Sequence, residues 1–392
     1  MPKSLNLLLA TAVGIIAANL YYAQPLVALI AKSLELDPSK AGLVVTLTQI
    51  GYCLGVLFIV PLGDLIENRR LILGMILIAT VSILGLGFAT QLIPYFVAAF
   101  SVGLGVSVVQ IIVPYAAHMT TPENSGRIVG SLMSGLMMGI MLSRPIASLL
   151  TDLVSWHAVF YLSASIMTIL AFALYKALPI RRPQHDGLKY STLLASMGSL
   201  VLHTPVLRRR AIYQACMFGA FCLFWTASPL LLSGPEFHLT QTEIAIFAFA
   251  GIAGAIAAPF AGKYGDRGYS RSVTAIAMIS GIVSFLMTHI FAPGSAGALV
   301  FLVISAILLD AGVTANLVTG QRAIFSLEAR YRSRLNGLYL AIIFVGGSLG
   351  SFIGAWAFAH GGWQLTSWMG ILFPSTALLY FATEWITGFQ KK

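Results

Sequence analysis

Apolar stretches of about twenty residues or more follow one another along the whole chain, with mostly short loops between them. Twelve can be counted: roughly 5–31, 41–63, 71–90, 93–119, 127–150, 156–177, 210–232, 242–262, 272–291, 296–321, 335–358 and 363–386. Each is long enough to cross about 30 Å of hydrocarbon at about 1.5 Å per helical residue. Composition closes off a soluble alternative: 58% of residues are hydrophobic and only 9% charged, against about 25% charged in a soluble domain. The chain therefore reads as an all-α membrane protein with twelve transmembrane helices.

The first apolar run, after "MPKSLN", is too long for a cleavable signal and reads as a retained span. The three cysteines, Cys53, Cys216 and Cys222, sit inside apolar runs and form no disulfide or metal-ligand spacing. One connection stands out: 178–209 bears Pro and Arg, and it divides six spans from six. It reads as a linker, with an interfacial helix around Thr192–Leu202. The expected bundles are 1–177 and 210–392. With the N-terminus placed in the cytoplasm, 20 of the 23 Lys and Arg fall on the cytoplasmic side. The positive-inside rule then puts both termini there. The net charge of +10 is thus topology and calls for no nucleic-acid partner.

The halves repeat each other. Gly105, Arg127, Gly130, Gly139 and Trp156 recur 207 positions on as Gly312, Arg334, Gly337, Gly346 and Trp363. At a slightly shorter offset, "NLYYAQPL" (19–26) answers "LFWTASPL", with Pro25 opposite Pro229. Two parallel six-span halves are an architecture of secondary transporters, with the substrate site between them near the midplane. Two loops carry helix starts: Asp37 as N-cap before Pro38, and a capping box from Thr240 to Glu243.

Six plus six spans and the loop "VPLGDLIENRR" with Asp64, Arg69 and Arg70 resemble the major facilitator superfamily over the whole chain. A weaker copy in loop 8–9 carries Gly262, Asp266, Arg267 and Arg271. Within the family the chain looks like the twelve-span drug/proton antiporters and the related bacterial sugar- and metabolite-efflux permeases. The resemblance implies a cytoplasmic gate at Asp64, Arg69, Arg70, Asp266 and Arg267, and a cavity lined by spans 1, 4, 7 and 10. It also implies a bacterial inner-membrane location. The chain departs from the pattern twice. Ala99 stands four residues before Gly103, where span 4 often has Arg. Ser143 and Arg144 stand where the span 5 signature has Gly-Pro.

Arg144 and Asp310 are the two ionisable residues expected well within spans. A charge there costs about 2.5–3.5 kcal/mol on insertion scales, so each should face a partner or a cavity. Asp310, near mid-span, is the candidate for proton coupling. Arg144 either clamps an anionic substrate, salt-bridges across the halves, or snorkels toward Asp152. The depths of Arg144 and Asp310 differ by roughly 10 Å on the helical rise, so no direct contact is expected. The candidate substrate-binding side chains are Asn19, Tyr21, Tyr22, Gln24, Gln49, Tyr52, Gln110, Tyr115, Trp225 and Asn316. Asn19 and Tyr22 share a helical face aimed at the cavity, Tyr21 and Gln24 form the neighbouring stripe, and Pro25 bends the helix. Gly51 with Gly55, and Gly346 with Gly350 and Gly354, read as close-packing surfaces where the halves rock.

The expected function is proton-coupled efflux of a small molecule, a drug or metabolite, by alternating access, in a monomer. The proton gradient is the energy source, since no Walker motif or cofactor signature is present. An uncoupled facilitator, or an importer of a sugar or organic anion, is the alternative, and a non-transporting receptor a remote one. "GGSLG" (346–350) matches a hydrolase pattern only in letters, without strand, His or acid partner, so no enzyme is expected.

Overall fold

A computed structural model describes residues 2–182, 189–327 and 331–387. Part of the linker (183–188) and three residues of the charge count, Arg330, Lys391 and Lys392, lie outside the described residues. The described chain is helical through most of its apolar runs, because in lipid each backbone N–H and C=O must find its partner within the chain. Among the described residues nine continuous helical runs are long and apolar enough to cross a membrane. Two of these hold two spans each. Gln241–Met287 covers spans 8 and 9. Arg332–Thr387 covers spans 11 and 12, divided where Gly361 and Gly362 leave helical geometry. With the broken first span, which begins as Lys3–Ala18, the total is twelve.

The other spans are Pro38–Asp64, Asn68–Phe88, Leu92–His118, Gly126–Leu153, Trp156–Ala177, Pro205–Ser233 and Ala296–Phe325. The linker helix runs Tyr190–His203. The loops between spans 2 and 3 and between spans 8 and 9 gather with this linker at one end of the bundle, the basic end. Lys32 and Lys40 mark the opposite end.

Both anticipated helix starts form. Asp37 accepts from the Ser39 N–H at 2.8 Å and the Ser39 hydroxyl at 2.5 Å, bonds that hold its carboxyl below the usual range. Thr240 and Glu243 make a reciprocal capping box. Thr240→Ala is expected to lower stability by about 1 kcal/mol, read as a fall in the unfolding temperature of detergent-purified protein.

The two halves are welded in the same way. In the first, Gly135 and Gly139 of span 5 lie against the backbone of Ala10 and Gly14 in span 1. In the second, Gly346 and Gly350 of span 11 lie against Ala215 and Gly219 in span 7. A Cβ at any of these four glycines would overlap a facing carbonyl oxygen. Gly51 and Gly55 pack likewise against Phe100 and Ser107 of span 4. These glycine rows therefore join helices inside one bundle, and the expectation that they form the rocking seam is corrected.

The seam lies elsewhere. Span 2 runs along span 11: the Thr46 hydroxyl donates to the Ser348 carbonyl (3.2 Å), Tyr52 meets the Phe344 ring (centroids 4.2 Å) and the Cys53 thiol reaches the Ala341 carbonyl (3.4 Å). Span 5 meets span 8 chiefly through 241–252, the part away from the basic end. Asp152 accepts a hydrogen bond from Thr242 at that far end. The inner half of span 5 and residues 256–260 of span 8 hold many exposed positions, Met138, Ile256 and Phe260 among them. Along span 5 and span 8 the halves thus meet chiefly on the side opposite the basic end.

Candidate substrate and coupling site

Span 1 does not continue as a bent helix through "NLYYAQPL". It stops at Ala18, passes through turns, and re-forms as a 3-10 segment, Gln24–Leu26, before helix Val27–Ser33. Pro25 has no N–H to give Tyr21, and the Tyr21 carbonyl instead accepts from the Gln24 N–H (3.1 Å). The change of winding moves the side chains off the 3.6-residue stripes. Asn19 turns into its own bundle, donating to the Ile15 carbonyl (2.9 Å) and accepting from Ser163 of span 6 (2.6 Å). Tyr22 is only half-buried. Tyr21 and Gln24, the neighbouring stripe, face the other half.

They meet Arg144. Its Nε donates to Gln24 Oε1 at 2.8 Å, and the guanidinium carbon lies 4.3 Å from the Trp225 ring, 4.9 Å from Phe221 and 5.4 Å from Tyr21. Three π faces replace the water that a cation would otherwise need. Arg144 is 2% exposed and Asp310 4%. Trp225 ties the two together, since its Nε1–H donates to Asp310 Oδ1 at 2.8 Å. Gly251 of span 8 closes the cluster. A Cβ there would stand 3.1 Å from Asp310 Oδ2 and 3.2 Å from Arg144 Nη1. The long arginine side chain runs along the seam so that both charged groups approach Gly251, yet the two make no direct contact, as their depths led one to expect. No ion pair closes between them, and Asp152 is engaged by Thr242 instead of Arg144.

Above the cluster, Pro25, Pro229, Ile244, Phe247 and Ala248 pack over Arg144 and Trp225 with no room for a water molecule. This is the seal on the side opposite the basic end. Beside the cluster, Gln49 Nε2 approaches the Cys222 thiol at 3.2 Å across the seam. Gln110 donates to the Tyr52 hydroxyl at 2.9 Å. Two other candidates lie apart from the cluster. Tyr115 donates to the Pro179 carbonyl (2.6 Å), and Asn316 donates to Gln214 (2.7 Å) within the second bundle. Three members had no individual signal in the sequence. Phe221 stands one turn before Trp225 and so shares its face. Phe247 reads as ordinary core. Gly251, an isolated glycine in a helical run, is the kind of residue that marks close approach.

At the basic end, Asp266 pairs with Arg322 at 2.7 Å. Asp64 lies within electrostatic reach of Arg334, Arg181 and His118. Arg69 reaches the Tyr175 carbonyl (2.5 Å), the exposed Arg70 pairs with the partly buried Glu67 (3.4 Å), and Arg267 is exposed. Asn68, unremarked in the sequence, pins loop 2–3. It donates to the Gly63 carbonyl (2.6 Å) and accepts from Arg181 (2.8 Å). Two more buried charges lie there. Arg210 donates to Thr274 (2.9 Å), and Glu384, 2% exposed, accepts from Tyr213 (2.9 Å).

The family model of the Major Facilitator Superfamily matches residues 9–233 and again 211–387, nearly the whole chain. The chain belongs to the major facilitator superfamily. It is similar to YgaY of Escherichia coli O157:H7, named an uncharacterized transporter, at 36% identity over all of this chain and 97% of that one. It is also similar to a "probable sugar efflux transporter" of Helicobacter pylori (strain ATCC 700392 / 26695), 24% identical over 67% of this chain and 66% of that one. Among solved structures, nucleoside transporter NupG aligns with a TM-score of 0.72 at 16% identity, over 99% of this chain and all of that one. This member of the superfamily is a multi-pass membrane transporter and no enzyme.

Proposed function

We propose that the chain is a proton-coupled transporter of a small polar molecule. It works as a monomer in the bacterial inner membrane, with its basic end and both termini in the cytoplasm. The bundles 1–177 and 210–392 alternate access, and Asp310 takes up and returns the proton. The observation that supports this reading is the chain Gln24–Arg144–Trp225–Asp310. A carboxylate buried in the second bundle has its cation on the first, and an indole N–H stands between them. Protonating Asp310 removes its attraction for Arg144 and so weakens a link across the seam. Proton occupancy and bundle position are thereby tied together.

Export is the direction we propose, in keeping with the relative named for sugar efflux. Asp64 and Asp266 are gate groups in this scheme: Asp64 lies within electrostatic reach of Arg334 of the other bundle, and Asp266 pairs with Arg322. The test uses proteoliposomes enclosing a pH-sensitive dye. A gradient of a transported sugar or sugar acid should move protons with the wild type. With Asp310→Asn the solute should still exchange while proton movement falls to the background of empty vesicles. Undiminished proton movement in Asp310→Asn would remove Asp310 from coupling, and wild-type solute flux without any proton movement would favour an uncoupled facilitator.

A further inference from the structure

The geometry points to a substrate bearing a carboxylate group, which docks on the Nε/Nη2 edge of Arg144 and crosses the membrane together with the proton on Asp310. A guanidinium offers its two parallel donors, Nε–H and Nη2–H, on one edge, and that edge matches the two oxygens of a carboxylate. Here the edge is half used. Nε donates to the single oxygen of Gln24, while Nη2 is buried without any partner. The adjoining Gln24 Nε2, on a side chain with no exposed surface, is likewise unpartnered. Buried donors left open in this way cost free energy until something accepts from them. An acid group supplies the missing acceptors.

The surroundings select the shape. The rings of Trp225, Phe221 and Tyr21 lie against the guanidinium. Approach is therefore confined to the plane of the fork, which suits a flat carboxylate better than a tetrahedral phosphate. The seal formed by Pro25, Pro229 and Phe247 closes one side, so the acid arrives from the side of the basic end.

The charge balance sets the coupling. With Asp310 ionised, the cluster holds one cation and one anion, and a second anion is repelled. With Asp310 protonated, Arg144 is the uncompensated charge and the substrate acid completes the balance. The other titratable groups beside the pair are Tyr21 and Cys222, with Tyr52 behind Tyr21, and none of them supplies a charge near neutral pH. Proton and acid thus favour each other's binding. Export of this kind runs down the substrate's own gradient. The shared movement rests on the proton role of Asp310; the acid class rests on Arg144 alone.

The test measures binding of two matched pairs, glucuronate with glucuronamide and benzoate with benzamide, to the purified full-length protein by calorimetry. Each acid should bind at least tenfold tighter than its amide. Arg144→Gln should erase the preference, and Arg144→Lys, which keeps the cation but loses the fork, should retain only part of it. As pH falls through the titration of Asp310, wild-type affinity for the acid should climb by up to roughly tenfold per unit. In Asp310→Asn it should be high and flat with pH. Equal binding of acid and amide, or no acid-dependent binding at all, overturns the acid class and leaves the proton role of Asp310 to its own flux test. An Arg144-dependent preference with no pH dependence in the wild type overturns the shared movement and the proton role, while the acid class stands.

Discussion

Arg144→Leu should destabilise the protein by about 3–5 kcal/mol, the range for removing one partner of a buried charge pair. The double variant Arg144→Leu/Asp310→Leu should recover most of that loss. The reasoning is that the charges of Arg144 and Asp310 are tolerated only as a set. Asp310 has the indole N–H of Trp225 and the nearby guanidinium. Without the guanidinium it remains a carboxylate in an apolar wall, which must either stay charged at high cost or take up a proton. Two leucines leave no charge to solvate, and buried ion pairs replaced by apolar residues are often no less stable. Unfolding in detergent, followed at fixed pH, reads both variants. Additive losses in the double variant would show that the two charges do not act on each other.

Gly350→Ala should cost about 2–3 kcal/mol, the scale for overpacking a tight contact, although the change adds one methyl group and favours helix. The added Cβ would overlap the carbonyl oxygen of Gly219, a backbone atom that moves only if span 7 moves. Gly198 in the linker helix is the control, with nothing within 4 Å of its would-be Cβ. There the same change should raise stability by up to about 1 kcal/mol through helix propensity. The two unfolding temperatures, shifting in opposite directions, are the check. A neutral Gly350→Ala would mean that spans 7 and 11 stand further apart than described.

The fold was legible because lipid makes length and apolarity decisive: a run of about twenty apolar residues has few other fates. The helix starts at Asp37 and Thr240 were legible because capping is local chemistry. The site was legible in part. Arg144, Asp310 and Trp225 declare themselves by being charged or polar where that is costly. Which face of span 1 reaches them was not legible, because helical spacing holds only while the helix does. Beyond Ala18 the chain turns, so Tyr21 and Gln24 stand where Asn19 and Tyr22 were expected. The glycine rows were recognised as close-packing surfaces, but spacing alone does not say against which helix. Arg144 and Asp310 make no direct contact, in line with their separate depths, but their link through Trp225 depends on side-chain reach along a seam, which a count of residues from the membrane edge does not register.

The matched prolines carry one more consequence. Pro229 lies inside an unbroken helix, Pro205–Ser233, and Pro25 lies in the 3-10 segment of an interrupted one. The two halves of the seal are therefore mechanically unequal. Span 7 is a stiff post, and span 1 is an elbow whose turn residues can absorb dihedral change, as hinges do. In the alternating-access cycle proposed above, opening of the far side is expected to draw on the turns between Asn19 and Leu26, so that the segment holding Arg144 through Gln24 is also the one that would release it.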